Sequence, residues 1–246
     1  MCGIVGYIGK QNAVRVGVDG LRALQYRGYD SAGLAFLNEG KIVSARAVGK
    51  IENLEERVDP AWNSGLGIFH TRWATHGKVT ERNAHPHSDC SGDVWLCHNG
   101  IIENFKELKE GLIAKGHSFT SETDSEVLPH LVEEEMKNGA SFEDAFFSML
   151  SKIRGTYGIA AISAKNPSVL LAARNFSPLL VGVGEGERFV ASDVSAVLKH
   201  TPQVVYLDDG EVAVITASSH HIYDQSRAVR KKPEHTIEWS LEEAKK

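Results

Sequence analysis

The sequence predicts an α+β fold in which sheets pack face to face and helices cover them. Three observations point there. Short strand-like runs fall in two groups, and amphipathic helical patterns lie between them. No strict strand–helix alternation joins the runs, which argues against a doubly wound parallel sheet. The 246 residues are 42% hydrophobic, enough to bury a sizeable core without disulfide or metal staples.

Each element follows from its pattern. Ile4–Ile8 is an unbroken apolar run and reads as a strand. Val14, Val18, Leu21 and Leu24 then recur at helical spacing, which predicts a helix over Asn12–Tyr26. Leu34–Leu37 and Ile42–Val48 flank Asn38-Glu39-Gly40, a hairpin signal. Leu66–Phe69 and Val94–Cys97 are further strands. The polar, glycine- and histidine-bearing stretch between them is too long for a simple turn, and such stretches are usually functional.

Three helices are expected next. Asn104–Lys115 carries Phe105, Leu108, Leu112 and Ile113 on one face, and Asp124–Met136 carries Val127, Leu128, Leu131, Val132 and Met136. Pro129 inside the second pattern predicts a kink or a late start. Ser141 and Asp144 make a capping-box-like opening for the third helix. Strands resume at Ile159–Ile162, Val169–Ala172, Leu179–Val183, Phe189–Ala191, Val204–Leu207 and Val212–Ile215. After Tyr223 the apolar pattern collapses, so residues 2–223 are expected as the domain and 224–246 as a charged linker.

Composition excludes several functions. Lys and Arg number 27 against 32 Asp and Glu, a net charge of −5. No basic footprint for nucleic acid and no polybasic membrane patch results. No apolar run approaches the roughly 18 residues needed to cross a bilayer. The start lacks a basic leader, so a cytoplasmic protein is expected. Three cysteines, Cys2, Cys90 and Cys97, do not suit a disulfide framework.

Four constellations carry chemistry. Cys2 becomes the first residue if Met1 is removed, and then holds a thiol and a free α-amine together. The amine's reference pKa of about 7.7–8.0 suits a general base, and the thiol at roughly 8.5 needs one. A buried strand cysteine is the plainer reading. His70-Thr-Arg72-Trp73-Ala-Thr75-His76-Gly77 follows a strand, and its Arg72 can clamp a carboxylate. Asn83-Ala-His85-Pro86-His87 continues that loop. In Cys97-His98-Asn99-Gly100, Asn-Gly is either a turn or a pair of donors to an oxyanion. Asp124 precedes a helix and is either an N-cap or a receptor for an ammonium.

Two other patterns are set aside. His85, His87, Cys90, Cys97 and His98 match none of the paired zinc spacings, so no metal is expected. Gly182-Val-Gly-Glu-Gly186 has Glu187 in place of a third glycine and precedes a strand, so no dinucleotide site is implied.

These segments, with Tyr26-Arg-Gly-Tyr-Asp-Ser-Ala-Gly33 and Ser121-Glu-Thr-Asp124, resemble the class II glutamine amidotransferase domain from Cys2 to about Tyr223. The wording of Tyr26–Gly33 and His70–Gly77 is similar to the glutaminase half of the fructose-6-phosphate-accepting members, rather than to amidophosphoribosyltransferase or asparagine synthetase domains. The resemblance implies a four-layer αββα sandwich of the N-terminal-nucleophile hydrolase type, with two mainly antiparallel sheets between helices. It implies hydrolysis of L-glutamine to glutamate and ammonia through a Cys2 thioester, without metal or organic cofactor.

By the same resemblance, Cys2 is the nucleophile, its amine the base, and Asn99 and Gly100 the oxyanion hole. Arg72 holds the substrate α-carboxylate with Thr75 and His76 nearby, and Asp124 holds the α-amine. Trp73 belongs to a loop closing over glutamine, His85 supports it, and Arg27 faces the sugar half. Fructose-6-phosphate is met only through a further sugar-isomerase half beyond the linker. A homodimer is expected for the longer protein and a monomer for this stretch. The alternatives are a glutamine-sensing module without turnover and the amidotransferase domain of a related synthase. Cys2, Asn99 and Gly100 together favour turnover, since a sensor needs none of them.

Overall fold

Residues 2–74 and 77–238 are described by a computed structural model. The strands, in chain order, are β1 (Gly3–Gly9), β2 (Ser31–Asn38), β3 (Lys41–Val48), β4 (Leu66–Arg72), β5 (His87–Ser88), β6 (Val94–Ile102), β7 (Gly155–Ser163), β8 (Asn166–Asn175), β9 (Leu180–Gly184), β10 (Glu187–Ala191), β11 (Gln203–Tyr206), β12 (Glu211–Ile215), β13 (His220–Asp224), β14 (Val229–Arg230) and β15 (His235–Thr236). The helices are α1 (Ala13–Leu24), α2 (Ile51–Glu55), α3 (Phe105–Ala114), α4 (Val127–Lys137) and α5 (Phe142–Lys152). One sheet runs β15-β11-β9-β10-β1-β4-β2-β3 and the other β14-β13-β12-β8-β7-β6-β5. Their strand pairs are antiparallel.

Side-chain alternation turns these sheets into four layers. Along β1, Ile4 and Ile8 face one way, and with Ile68 they meet Cys97, Ala160, Ile162 and Leu170 of the second sheet. Val5 and Tyr7 face the other way and pack with Leu21 and Leu24 of α1. On the second sheet Leu96, Ile159, Ala161 and Leu171 turn outward onto Val127 and Leu128 of α4 and Phe146 and Met149 of α5. Three apolar layers thus separate helix, sheet, sheet and helix. The central strands read as continuous hydrophobic runs because both of their faces are covered.

Local signals place the helix ends. The Asn12 side chain caps α1 by accepting from the Val14 N–H, and Ser141 caps α5 by accepting from the Asp144 N–H. Helix α4 starts at Val127, three residues past Asp124. Pro129 is its third residue, where a backbone N–H would have no intrahelical acceptor, so the late start accommodates it.

The stretch from Asp224 was expected as linker, yet it continues into both sheets. β14 pairs with β13, β15 pairs with β11, and Ile237 packs on the core under α1. These pairings run through backbone groups and leave little trace in hydrophobicity. The remainder of that expectation, 239–246, lies outside the described residues. Among the described residues no helix is long and apolar enough to cross a membrane.

Candidate active site

The site forms where one end of β1 meets β6, across the two sheets. Antiparallel register sets Gly3 opposite Thr71, which brings Cys2 beside the end of β4. The Trp73 N–H donates to Cys2 Sγ at 3.2 Å, and the thiol lies 3.6 Å from the Trp73 carbonyl. Burial pushes the thiol's pKa up, against the lowering effect of the Trp73 backbone. A protonated thiol needs a base. Among the described residues, its hydrogen-bond partners are backbone groups only.

Asn99 comes from the second sheet, within β6 and opposite Gly158 of β7. Asn-Gly is therefore not a turn. The Asn99 Nδ2 donates to the Cys2 carbonyl at 3.2 Å, tying the sheets together at the site. His70 Nε2 lies 2.8 Å from Asn99 Oδ1. An amide oxygen only accepts, so the neutral ring carries its proton on Nε2 and donates it. That bond fixes the amide with its nitrogen toward Cys2, and a second N–H remains for a ligand oxygen.

Gly100 follows at φ +130°, where a Cβ would stand 2.0 Å from the Thr156 carbonyl oxygen. No other residue fits that backbone. Cys2, Asn99 and Gly100 line one cavity of about 510 Å³ with Arg27, Trp73, Ile101, Thr156, Ser177 and Pro178. That volume suits a small-molecule ligand. The Trp73 ring is 53% exposed and lies over Gly28, where a Cβ would approach it to 2.7 Å. Arg27 pairs with Asp193 at 2.9 Å and reaches Ser192 Oγ at 3.4 Å.

Other expected residues stand outside the cavity lining. Arg72 is 4% exposed, with Nη1 3.4 Å from the Lys78 carbonyl. Asp124 is 5% exposed, and its Oδ2 accepts from the Ile102 N–H at 2.7 Å. It does not cap α4. His85 sits behind Asn99, stacked on His70 at 4.3 Å, and its Nδ1 accepts from the His98 N–H at 3.2 Å. Thr75 and His76 lie outside the described residues.

Sequence reasoning missed the supporting groups. Asp30 accepts from the Ala74 N–H at 2.5 Å and so anchors the chain after Trp73. Thr71 Oγ1 accepts from the Gly3 N–H at 3.1 Å, and Ser192 Oγ from the Ile4 N–H at 3.0 Å. His70 and Asp30 belong to the motifs already quoted, so their positions were visible and their roles were not. Four buried histidines cluster here: His70 stacks on His85, His87 meets His85 edge-on, and the His98 N–H donates to His85. Burial lowers the pKa of each, to about 3 for His70 and His87, so the rings are neutral at pH 7.

The chain is similar to known proteins in sequence and in fold. A family model described as a glutamine amidotransferase domain matches residues 70–199. Curated relatives named glutamine–fructose-6-phosphate aminotransferase [isomerizing] are 48% identical in Pyrococcus horikoshii and 49% identical in Thermococcus kodakarensis. Each match takes in 100% of this chain but only 42% and 41% of the relative. The chain thus spans about two fifths of their length. Among solved structures, glutamine phosphoribosylpyrophosphate amidotransferase from B. subtilis superposes with a TM-score of 0.78 at 25% identity, over 94% of this chain and 50% of that one. The four-layer sandwich expected from the sequence is the fold these structures share.

Proposed function

The chain belongs to the glutamine amidotransferase domain family, and from that premise we propose that it hydrolyses L-glutamine at Cys2. One observation carries the reading. Residues 2, 99 and 100, from two sheets, converge on one small-molecule cavity with the thiol at its wall.

In this mechanism Met1 is removed and the Cys2 α-amine takes the thiol proton. Sγ attacks the side-chain amide carbon, and the carbonyl oxygen's charge is met by the Asn99 amide and Gly100. The ammonium returns its proton to the departing nitrogen, which leaves as ammonia. Water then attacks the thioester, glutamate departs, and the thiol is restored. The amine is taken as the base because, among the described residues, the hydrogen-bond partners of Sγ are backbone groups.

Arg72 is assigned the substrate carboxylate and Asp124 its ammonium, with Thr75 and His76 beside the carboxylate. Both charged groups are nearly covered, so they act in a desolvated setting where charge pairs are stronger. Trp73 covers the bound substrate. His85 acts through His70 to position Asn99. Arg27, at the cavity rim, faces an acceptor half.

The ammonia serves a sugar-phosphate acceptor carried by the rest of a longer chain, as the relatives' names indicate for those proteins. Fructose-6-phosphate as acceptor, a homodimeric whole and a linker beyond residue 238 belong to this proposal. A cytoplasmic setting fits the three unpaired cysteines. Ammonia and glutamate release from glutamine is the test. Protein with Met1 removed should turn over, and protein bearing a verified, uncleaved N-terminal extension should not. Equal turnover by both would rule out the amine as base.

A further inference from the structure

We propose that Cys90, His117, His130 and Glu133 form a tetrahedral zinc(II) site. Cys90 follows β5 at the head of the β5–β6 hairpin, and His117 follows α3. His130 and Glu133 lie three residues apart on α4, which sets them on one face. Cys90 Sγ stands 3.7 Å from His117 Nδ1 and 3.5 Å from His130 Nδ1. Glu133 Oε2 stands 3.0 Å and 3.4 Å from the same two nitrogens. All four atoms lie within 4.8 Å of one another.

The four separations that involve the ring nitrogens, 3.0–3.7 Å, bracket those of a metal polyhedron. Zinc bonds of about 2.3 Å to sulfur and about 2.0–2.1 Å to nitrogen or oxygen set tetrahedral ligand atoms roughly 3.3–3.6 Å apart. One thiolate, two imidazoles and one carboxylate are a zinc-type donor set. Without a cation, two ring nitrogens and the Cys90 N–H crowd one carboxylate oxygen, and the thiol meets the same two ring nitrogens.

The outer groups agree. His117 Nε2 lies 3.1 Å from Glu134 Oε2, and His130 Nε2, which has no hydrogen-bond partner, lies 3.9 Å from Glu126 Oε1. A carboxylate hydrogen-bonded behind the ligating imidazole, as at His117, is the usual support of a zinc histidine, and Glu126 is the carboxylate nearest to that role at His130. Lys137 holds the other Glu133 oxygen at 2.7 Å, which aims Oε2 inward.

Four protein ligands close the coordination sphere, which makes the role structural rather than catalytic. None of the four lines the Cys2 cavity. The ion would staple the α3–α4 connection, which carries Asp124, to α4 and to the β5–β6 hairpin. The irregular spacing of 90, 117, 130 and 133 explains why paired-ligand patterns in the sequence did not show it.

The test uses the chain in a Cys2→Ala background, so that no other accessible thiol contributes. After chelation, zinc(II) chloride is added alone, excess is dialysed away, and bound zinc is counted. One equivalent per chain is expected, with affinity at least tenfold weaker in Cys90→Ala and in His130→Gln. Cobalt(II) should give a near-ultraviolet thiolate-to-metal band that Cys90→Ser removes. Cys90 is exposed, so its variants test the site even if His130→Gln does not fold. Zinc lost on dialysis, zinc held equally by the Cys90 variants, or a cobalt spectrum without the thiolate band would each overturn the proposal.

Discussion

The histidines behind Asn99 and those beside Cys90 are equally buried, yet they are built for different work. His70, His85, His87, His98, His117 and His130 are all between 0% and 5% exposed. Burial therefore does not separate them; partners do. Around Asn99 the rings meet an amide oxygen, a backbone N–H, hydroxyls and one another. None of these hydrogen-bond partners carries a charge, and burial keeps the rings neutral even with Glu126 near His87 and Asp124 near His98, so they serve as scaffold. Around Cys90 the rings meet two glutamates and a thiol, groups that call for a cation. The lesson extends to the thiols: among the described residues Cys2 Sγ hydrogen-bonds to backbone groups, and Cys90 Sγ meets imidazoles. On the proposed mechanism Cys2 uses its own α-amine as base.

The largest test of that contrast is Cys2→Ala. Turnover should fall by on the order of 10⁶, the scale seen when a nucleophile is removed. Glutamine binding, by calorimetry, should persist. A variant still turning over would mean another group attacks, and the contrast between the two thiols would collapse.

Asn99→Ala comes next. Loss of one oxyanion donor costs on the order of 10²–10³ in kcat, roughly 3–4 kcal/mol, with little change in KM. Steady-state kinetics separates this from Arg72→Ala, which removes a contact made equally in ground and transition states. A hydrogen-bonded charge contributes about 1.5–3 kcal/mol, so KM should rise roughly 10- to 100-fold at nearly constant kcat.

His70 tests the scaffold role itself. His70→Phe removes the donor that holds Asn99 Oδ1, and kcat should fall about tenfold, the lower end of losses when a supporting hydrogen bond is removed. His70→Gln keeps an N–H donor and should recover most of that loss. The pH profile of kcat should stay unchanged in both. A shifted profile would make His70 a proton carrier and break the comparison.

Much of this arrangement was legible in the sequence, and the reasons differ by element. The strands facing two apolar layers announced themselves as unbroken runs such as Ile159–Ile162. Asn12 and Ser141 marked helix starts because their side chains do the capping. The short β14 and β15 carried no such mark, since backbone pairing holds them. At the site, Cys2, Asn99 and Gly100 were legible as residue types with matching chemistry. The interlock of His70 with Asn99, and the grouping of 90, 117, 130 and 133, depend on register and on loop paths that sequence spacing does not encode.

The smallest expected effect is a slope in stability. His70 and His87 have folded pKa values of about 3, against about 6.5 unfolded, so between these limits the unfolded chain binds more protons. Stability therefore rises with pH across that window; it is fully present above about 6.5 and is lost as pH falls toward 3. Each ring should cost about 1 kcal/mol between pH 6.5 and 5.5, before most carboxylates titrate. His87 is the better probe, because its Nε2 lies 3.0 Å from Thr123 Oγ1, away from Asn99. His87→Gln keeps a polar partner for that hydroxyl but cannot take up the proton. Urea midpoints of wild type and His87→Gln, with chelator present so that metal-linked protons are silent, should diverge at pH 6.5 and converge by about 1 kcal/mol at pH 5.5. Parallel pH dependence in the two proteins would mean that His87 is protonated in the folded state, and a charge would then have to be placed inside the histidine stack.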